Sequence, residues 1–244
     1  MRYYSNNNLA KVIAMATYEE LSPIYEQLGM IQSGNYPSKF LAKKICDQGG
    51  NKVLNLFKDG EVTSYLEILN QLSTSFGFEN LSRTHPWLLK EDDSSSDSYM
   101  THKEIDAIIF QMENLILVSI YEKIYKSMSK DQLNYFFKKI ASEFGESDEK
   151  TRAKILATGG VLAIGNIGGF ATYTAMSSLL SVASGGALGF GAYTAASSVL
   201  SIVLGPVGWM SLGIYALYKA GSPKLNKMLP IIICVALIRR KYLT

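Results

Sequence analysis

Side chains able to do bond-making chemistry are scarce in this chain. It holds two histidines, His85 and His102, and two cysteines, Cys46 and Cys234. His85 sits beside a proline, and His102 falls in the first turn of a helix expected to start at Thr101. Neither has a Cys, a second His or an acid at ligand spacing, so no metal site is expected. Two thiols in unrelated contexts form neither a disulfide framework nor a metal set, which suggests a reducing, cytoplasmic setting. Gly159-Gly160 and Gly165 to Gly169 look superficially like a phosphate loop. No strand is expected before them and no G-K-[ST] follows. A GxSxG elbow is also missing. The acids lie on helix faces expected to be solvated. These features predict a protein without catalytic residues, cofactor or metal.

The informative spacing concerns packing instead. From Ile155 to Tyr218 there is no charged residue and no histidine, a run of 64 residues. A helix without a charged face must be buried in protein or in lipid. Within the run, Gly165 to Val182 reads GNIGGFATYTAMSSLLSV and Gly185 to Ile202 reads GGALGFGAYTAASSVLSI. Ten of these 18 aligned positions are identical, at an offset of 20 residues. Each copy carries a small or polar residue every fourth position around one tyrosine. The stripes are Gly165, Gly169, Tyr173, Ser177, Ser181 and Gly185, Gly189, Tyr193, Ser197, Ser201. On helices this is the small-xxx-small pattern that lets two backbones approach closely, within one chain or between copies in a homo-oligomer.

Charge divides the chain at the same place. Residues 1–149 carry 15 Lys and Arg against 21 Asp and Glu, a net −6; residues 150–244 carry nine bases and no acid. Such asymmetry suits contact with an anionic surface. The bases are not interleaved with aromatics in any nucleic-acid-binding motif, which disfavours nucleic acid. They bracket the apolar run instead: Arg152 and Lys154 before it, Lys219, Lys224 and Lys227 after it, then Arg239, Arg240 and Lys241 near the end. This fits the positive-inside tendency of inner-membrane proteins. A soluble core covered by the preceding amphipathic helices remains an alternative, as does a module that is covered in one state and inserted in another.

The elements that would position these residues read as helices throughout. Thr17 with Glu20, Thr101 with Glu104 and Ser129 with Gln132 are capping pairs, and Gly29, Gly49-Gly50 and Gly145 are candidate stops. Pro37 starts one helix, and another runs from about Thr63 to Phe76. Ile105, Ile108, Ile109, Met112, Ile116, Ile120 and Ile124 form one long apolar stripe. The predicted organisation is all-α. An N-terminal helical region (1–81) is followed by a polar linker (82–100), an amphipathic helical hairpin (101–149) and a basic-flanked, glycine- and serine-rich module (150–244). No secretory leader is read at the start. The last helix, Leu225 to Leu243, has an apolar centre of 11 residues from Met228 to Ile238, too short to span a bilayer. It suits an interfacial anchor or a buried core helix with bases at its C-terminus.

Several stretches resemble the YaaW-like family of bacterial proteins, and the resemblance covers most of the chain. It rests on LAKVIAMATYEELSPIYEQL, GGNKVLNLFKDGEVTSYLEIL and HKEIDAIIFQMENLILVSIYEKIYKSMSKDQLNYFFKKIASEF, then on GPVGW and LPIIICVALIRR. The resemblance implies a bacterial origin and supplies no catalytic residues. Together these readings predict a non-enzymatic helical protein that associates with, or inserts in, the inner membrane and serves stress or defence. The alternative is a soluble helical adaptor or chaperone-like protein that shields an apolar partner.

Overall fold

The computed structural model describes residues 2–31, 35–49, 63–75, 101–144 and 223–243. Among them are seven helices and no strand: α1 Arg2–Met15, α2 Tyr18–Gln27, α3 Ser38–Gly49, α4 Tyr65–Ser75, α5 His102–Ser127, α6 Lys130–Phe144 and α7 Pro223–Leu243. The all-α expectation holds for these residues. The polar linker and the repeat stripes at residues 165–201 lie outside the described residues, as do Arg152, Lys154 and Lys219. The side chains of Lys224 and Lys227 do too.

Local sequence explains where most helices begin. The Thr17 hydroxyl accepts from the Glu20 N–H at 3.3 Å, and the Glu20 carboxylate accepts from the Thr17 N–H at 2.8 Å. Two of the helix's orphan donors are satisfied this way. Thr101 and Glu104 repeat the arrangement on α5, and Ser129 and Gln132 on α6. A fourth box, Ser64 with Glu67, starts α4; its S-x-x-E spacing was present in the sequence but not singled out. α2 ends in a Schellman motif. Gly29 has φ +64, its N–H donates to the Glu26 carbonyl at 3.0 Å, and the Met30 N–H donates to Tyr25 at 2.8 Å. Only glycine adopts that backbone without strain.

α3 ends at Gly49, as the sequence predicts, and this glycine also serves packing. It is buried inside the last turn of α3, and a methyl group there would lie 2.7 Å from Ile68 Cγ1. The missing side chain lets α3 approach α4.

The core is centred on α7. This helix packs against α1, α2, α3, α4 and α5, and every residue from Met228 to Ile238 is buried. An 11-residue stretch that is apolar on all sides has no face for water. Here its surroundings are five helices, and each fully buried aliphatic side chain contributes roughly 1.5–3 kcal/mol before entropy is counted. Of the two readings of the last helix, its burial fits the core helix. It packs with described helices from both sides of the expected linker; residues 150–222, with which the sequence grouped it, lie outside the described residues. Among the described residues, α5 packs chiefly on α4, α7 and α1. Its stripe (Ile105, Ile109, Met112, Ile116, Ile120) is buried.

Candidate functional site

Polar groups meet where the C-terminal turns of α7 reach α1, α4 and α5. The apolar stripe of α5 is broken by one acid, Glu113, between Ile109 and Ile116 on the same face. Glu113 is 2 % exposed and Arg239 is 4 % exposed, so neither charge could be tolerated there alone. They pair in a two-point geometry. Arg239 Nε donates to Glu113 Oε2 at 2.7 Å, and Nη2 donates to Oε1 at 3.2 Å. The fork of the guanidinium suits a carboxylate in a way that an ammonium does not. Burial lowers the basicity of Arg239, but Glu113, together with Tyr65 and Asp106, more than compensates, and the net direction is upward.

The remaining capacity of the pair is filled by neighbours. Tyr65 on α4 donates its hydroxyl proton to Glu113 Oε1 at 2.8 Å. Arg239 Nη2 also donates to Asn8 Oδ1 on α1 at 2.6 Å. The Asn8 amide donates onward to Asp106 Oδ1 at 2.6 Å, and Tyr4 donates to Asp106 Oδ2 at 3.0 Å. Tyr4 in turn stacks on His102, with ring centroids 3.9 Å apart. A continuous polar chain therefore runs from Tyr4, stacked on the exposed imidazole, to the buried phenol of Tyr65. Burial, followed by the charge of Glu113, pushes the Tyr65 hydroxyl well above its usual range, so it stays a proton donor. Beside it, Asn6 Oδ1 accepts from the Tyr65 N–H at 2.8 Å and from the Cys46 thiol at 3.3 Å.

The next two bases of α7 are also occupied. Arg240 donates to Asn114 Oδ1 and lies over the Phe110 ring, 4.7 Å from its centroid. Lys241 Nζ donates to Glu20 Oε1 at 2.6 Å, and the Tyr242 hydroxyl donates to Glu20 Oε2 at 3.2 Å. Glu20 thus joins the cap of α2 to the end of α7. Arg239, Arg240 and Lys241, expected as membrane-flanking bases, are paired within the protein.

Chemically this arrangement fastens helices. Among these contacts neither thiol hydrogen-bonds to a carboxylate or an imidazole. Burial pushes the thiols of Cys46 and Cys234 far above their usual values, so both stay protonated and inert near neutrality. Among the described residues no group of three or more His, Cys, Asp or Glu could hold a metal ion. An open groove of about 510 Å³ lies between α1, α2 and the start of α3, floored by Ile13, Leu21 and Tyr25 and edged by Tyr18 and Tyr36. Tyr18, Tyr25, Tyr36 and Phe40 follow one another at centroid distances of 5.9, 5.7 and 5.8 Å. Among the described residues of its lining, tyrosines are the only ionisable ones.

These residues define an all-helical body fastened by an internal ion-paired network. No family model, curated protein or solved structure matches the chain. Among the described residues, no helix is long and apolar enough to cross a membrane.

The sequence reading missed Asn6, Asn8, Glu113 and Tyr65. Glu113 carried a readable signal, since an acid at i+4 from Ile109 and i−3 from Ile116 lies on the buried stripe. Asn6 and Asn8 carried none, because a polar start reads as a frayed terminus until its partners are known.

Proposed function

We propose that the protein is a non-enzymatic helical protein whose segment between α6 and α7 associates with an anionic membrane, as part of a bacterial stress or defence response. The single observation carrying this reading is the run of 64 residues without a charged residue or a histidine, from Ile155 to Tyr218. Such a run needs a water-free environment, and Arg152, Lys154 and Lys219 stand at its borders as they do beside inserted segments. The stripes from Gly165 to Ser201 would let inserted helices pack, in one copy or among several. Likeness to YaaW-like proteins is part of the same proposal.

The fold constrains how insertion would run. α6 contributes Phe136 and Phe137 to the same core cluster as α7. On this reading an inserted segment would have to leave and return on one side of the bilayer, either re-entrantly or by an even number of crossings. A cytoplasmic body with a hairpin in the inner membrane meets this condition.

One observation favours a second reading, a soluble adaptor that keeps its apolar segment in a protein environment. α7 is itself apolar with terminal bases, and its home is protein.

Fractionation with an alkaline carbonate wash separates the two. The comparison must keep α7, so residues 150–219 are exchanged for a soluble linker instead of truncating the chain. The membrane reading predicts the full chain in the washed pellet and the exchanged chain in the supernatant. Full-length protein in the supernatant, with and without stress, contradicts it.

A further inference from the structure

The two ends of the chain make one folded body. α1 to α5 surround a helix that arrives only after 78 further residues, 145–222. Removing α7 would uncover the inward faces of five helices at once. It would also leave Glu113 buried without Arg239, and Asn8 without its donor. Glu20 would lose both Lys241 and Tyr242. The described acids that face α7 at this end sit on two different helices, Glu113 and Asp106 on α5 and Glu20 on α2, so a replacement would have to bring bases to both at once.

We propose that α7 is an obligate closing clamp. The body of α1 to α5 has no stable form without it, so the body closes only after residues 145–222 have been synthesised. It then holds both borders of that segment. A cut just before α7 gives a two-piece complex, not a folded body and a dispensable tail. The proposal stands whether or not the segment enters a membrane.

The test uses the full chain carrying a site-specific protease site between Gly221 and Ser222, cut after purification. Urea titration then follows release of the tail peptide and loss of helical signal in the same samples. The clamp predicts that the two coincide at one midpoint, or that a peptide lost on cutting takes the cooperative transition with it. A body that keeps its cooperative transition after the peptide has left overturns the proposal. If the altered site prevents folding, hydrogen exchange on the unaltered chain gives the same decision. Amides of α7, α1, α4 and α5 should exchange through one common opening. Exchange of α7 at least tenfold faster than that of the other three, through its own opening, overturns the clamp.

Discussion

α7 is fastened at two depths, and the contrast between them shows how this body is specified. At Glu113 and Arg239 both side chains are almost fully enclosed, at 3 % and 5 % exposure. At Glu20 and Lys241 the glutamate side chain is buried but the lysine side chain is 24 % exposed. The separations are nearly equal, 2.7 and 2.6 Å, so distance does not distinguish them. Solvent does. A partly exposed lysine recovers hydration when its partner is lost, whereas an enclosed guanidinium cannot. The deep pair therefore fixes which helix may sit in the core and in which register, while the outer pair trims its end.

The largest effect should come from breaking the deep pair on one side. Glu113→Leu is expected to cost about 3–5 kcal/mol, because it strands Arg239 in the core. Adding Arg239→Leu should recover much of that loss. A urea titration of the three variants checks this, and additive losses would mean that the two residues are not coupled.

Alkaline pH should act next, and from the inside. Both buried thiols have folded values raised above their unfolded ones. Their contribution is therefore complete below an unfolded value of about 8.5 and is lost as pH rises, by about 1.4 kcal/mol per pH unit for each thiol. Tyr65 and Lys241 are shifted in the same direction and add to the loss above about pH 10. Stability measured at pH 7, 9 and 10 should fall steadily, and Cys46→Ala should flatten the slope. A flat profile in the parent protein would show that the thiols are solvated.

Tyr65→Phe should cost about 1–3 kcal/mol, since Glu113 Oε1 loses a buried donor. The same thermal or urea measurement decides it, and no change would mean that water replaces the phenol.

The smallest effect belongs to the outer pair. Glu20→Gln keeps an oxygen able to serve the capping box at Thr17 and removes the charge and the acceptor facing Lys241. It should cost about 0.2–1 kcal/mol, and the difference from the parent should shrink in 1 M salt. A loss as large as that of Glu113→Leu would erase the contrast between the two depths.

Sequence legibility followed the range of the interactions. The caps at Thr17, Thr101 and Ser129 and the stop at Gly29 were readable because their partners lie within a few residues. The inward stripe of α5 was readable because periodicity is local. The role of Arg239 was not, since a basic cluster after an apolar helix looks the same whether the helix lies against lipid or protein. What decides between them is Glu113, which is 126 residues away in the sequence. Asn8 lies 231 residues from the same guanidinium. Gly49 was seen as punctuation, yet the need for glycine there comes from Ile68 on another helix.

Zero-length carbodiimide cross-linking of the intact protein, followed by peptide mapping of the monomeric fraction, tests the placement of α7 most directly. An amide bond between Glu20 and Lys241 within one chain is the predicted product. Finding Lys241 unlinked, and as freely modified as an exposed lysine such as Lys39, would contradict a carboxy-terminal helix seated among the first helices of the chain.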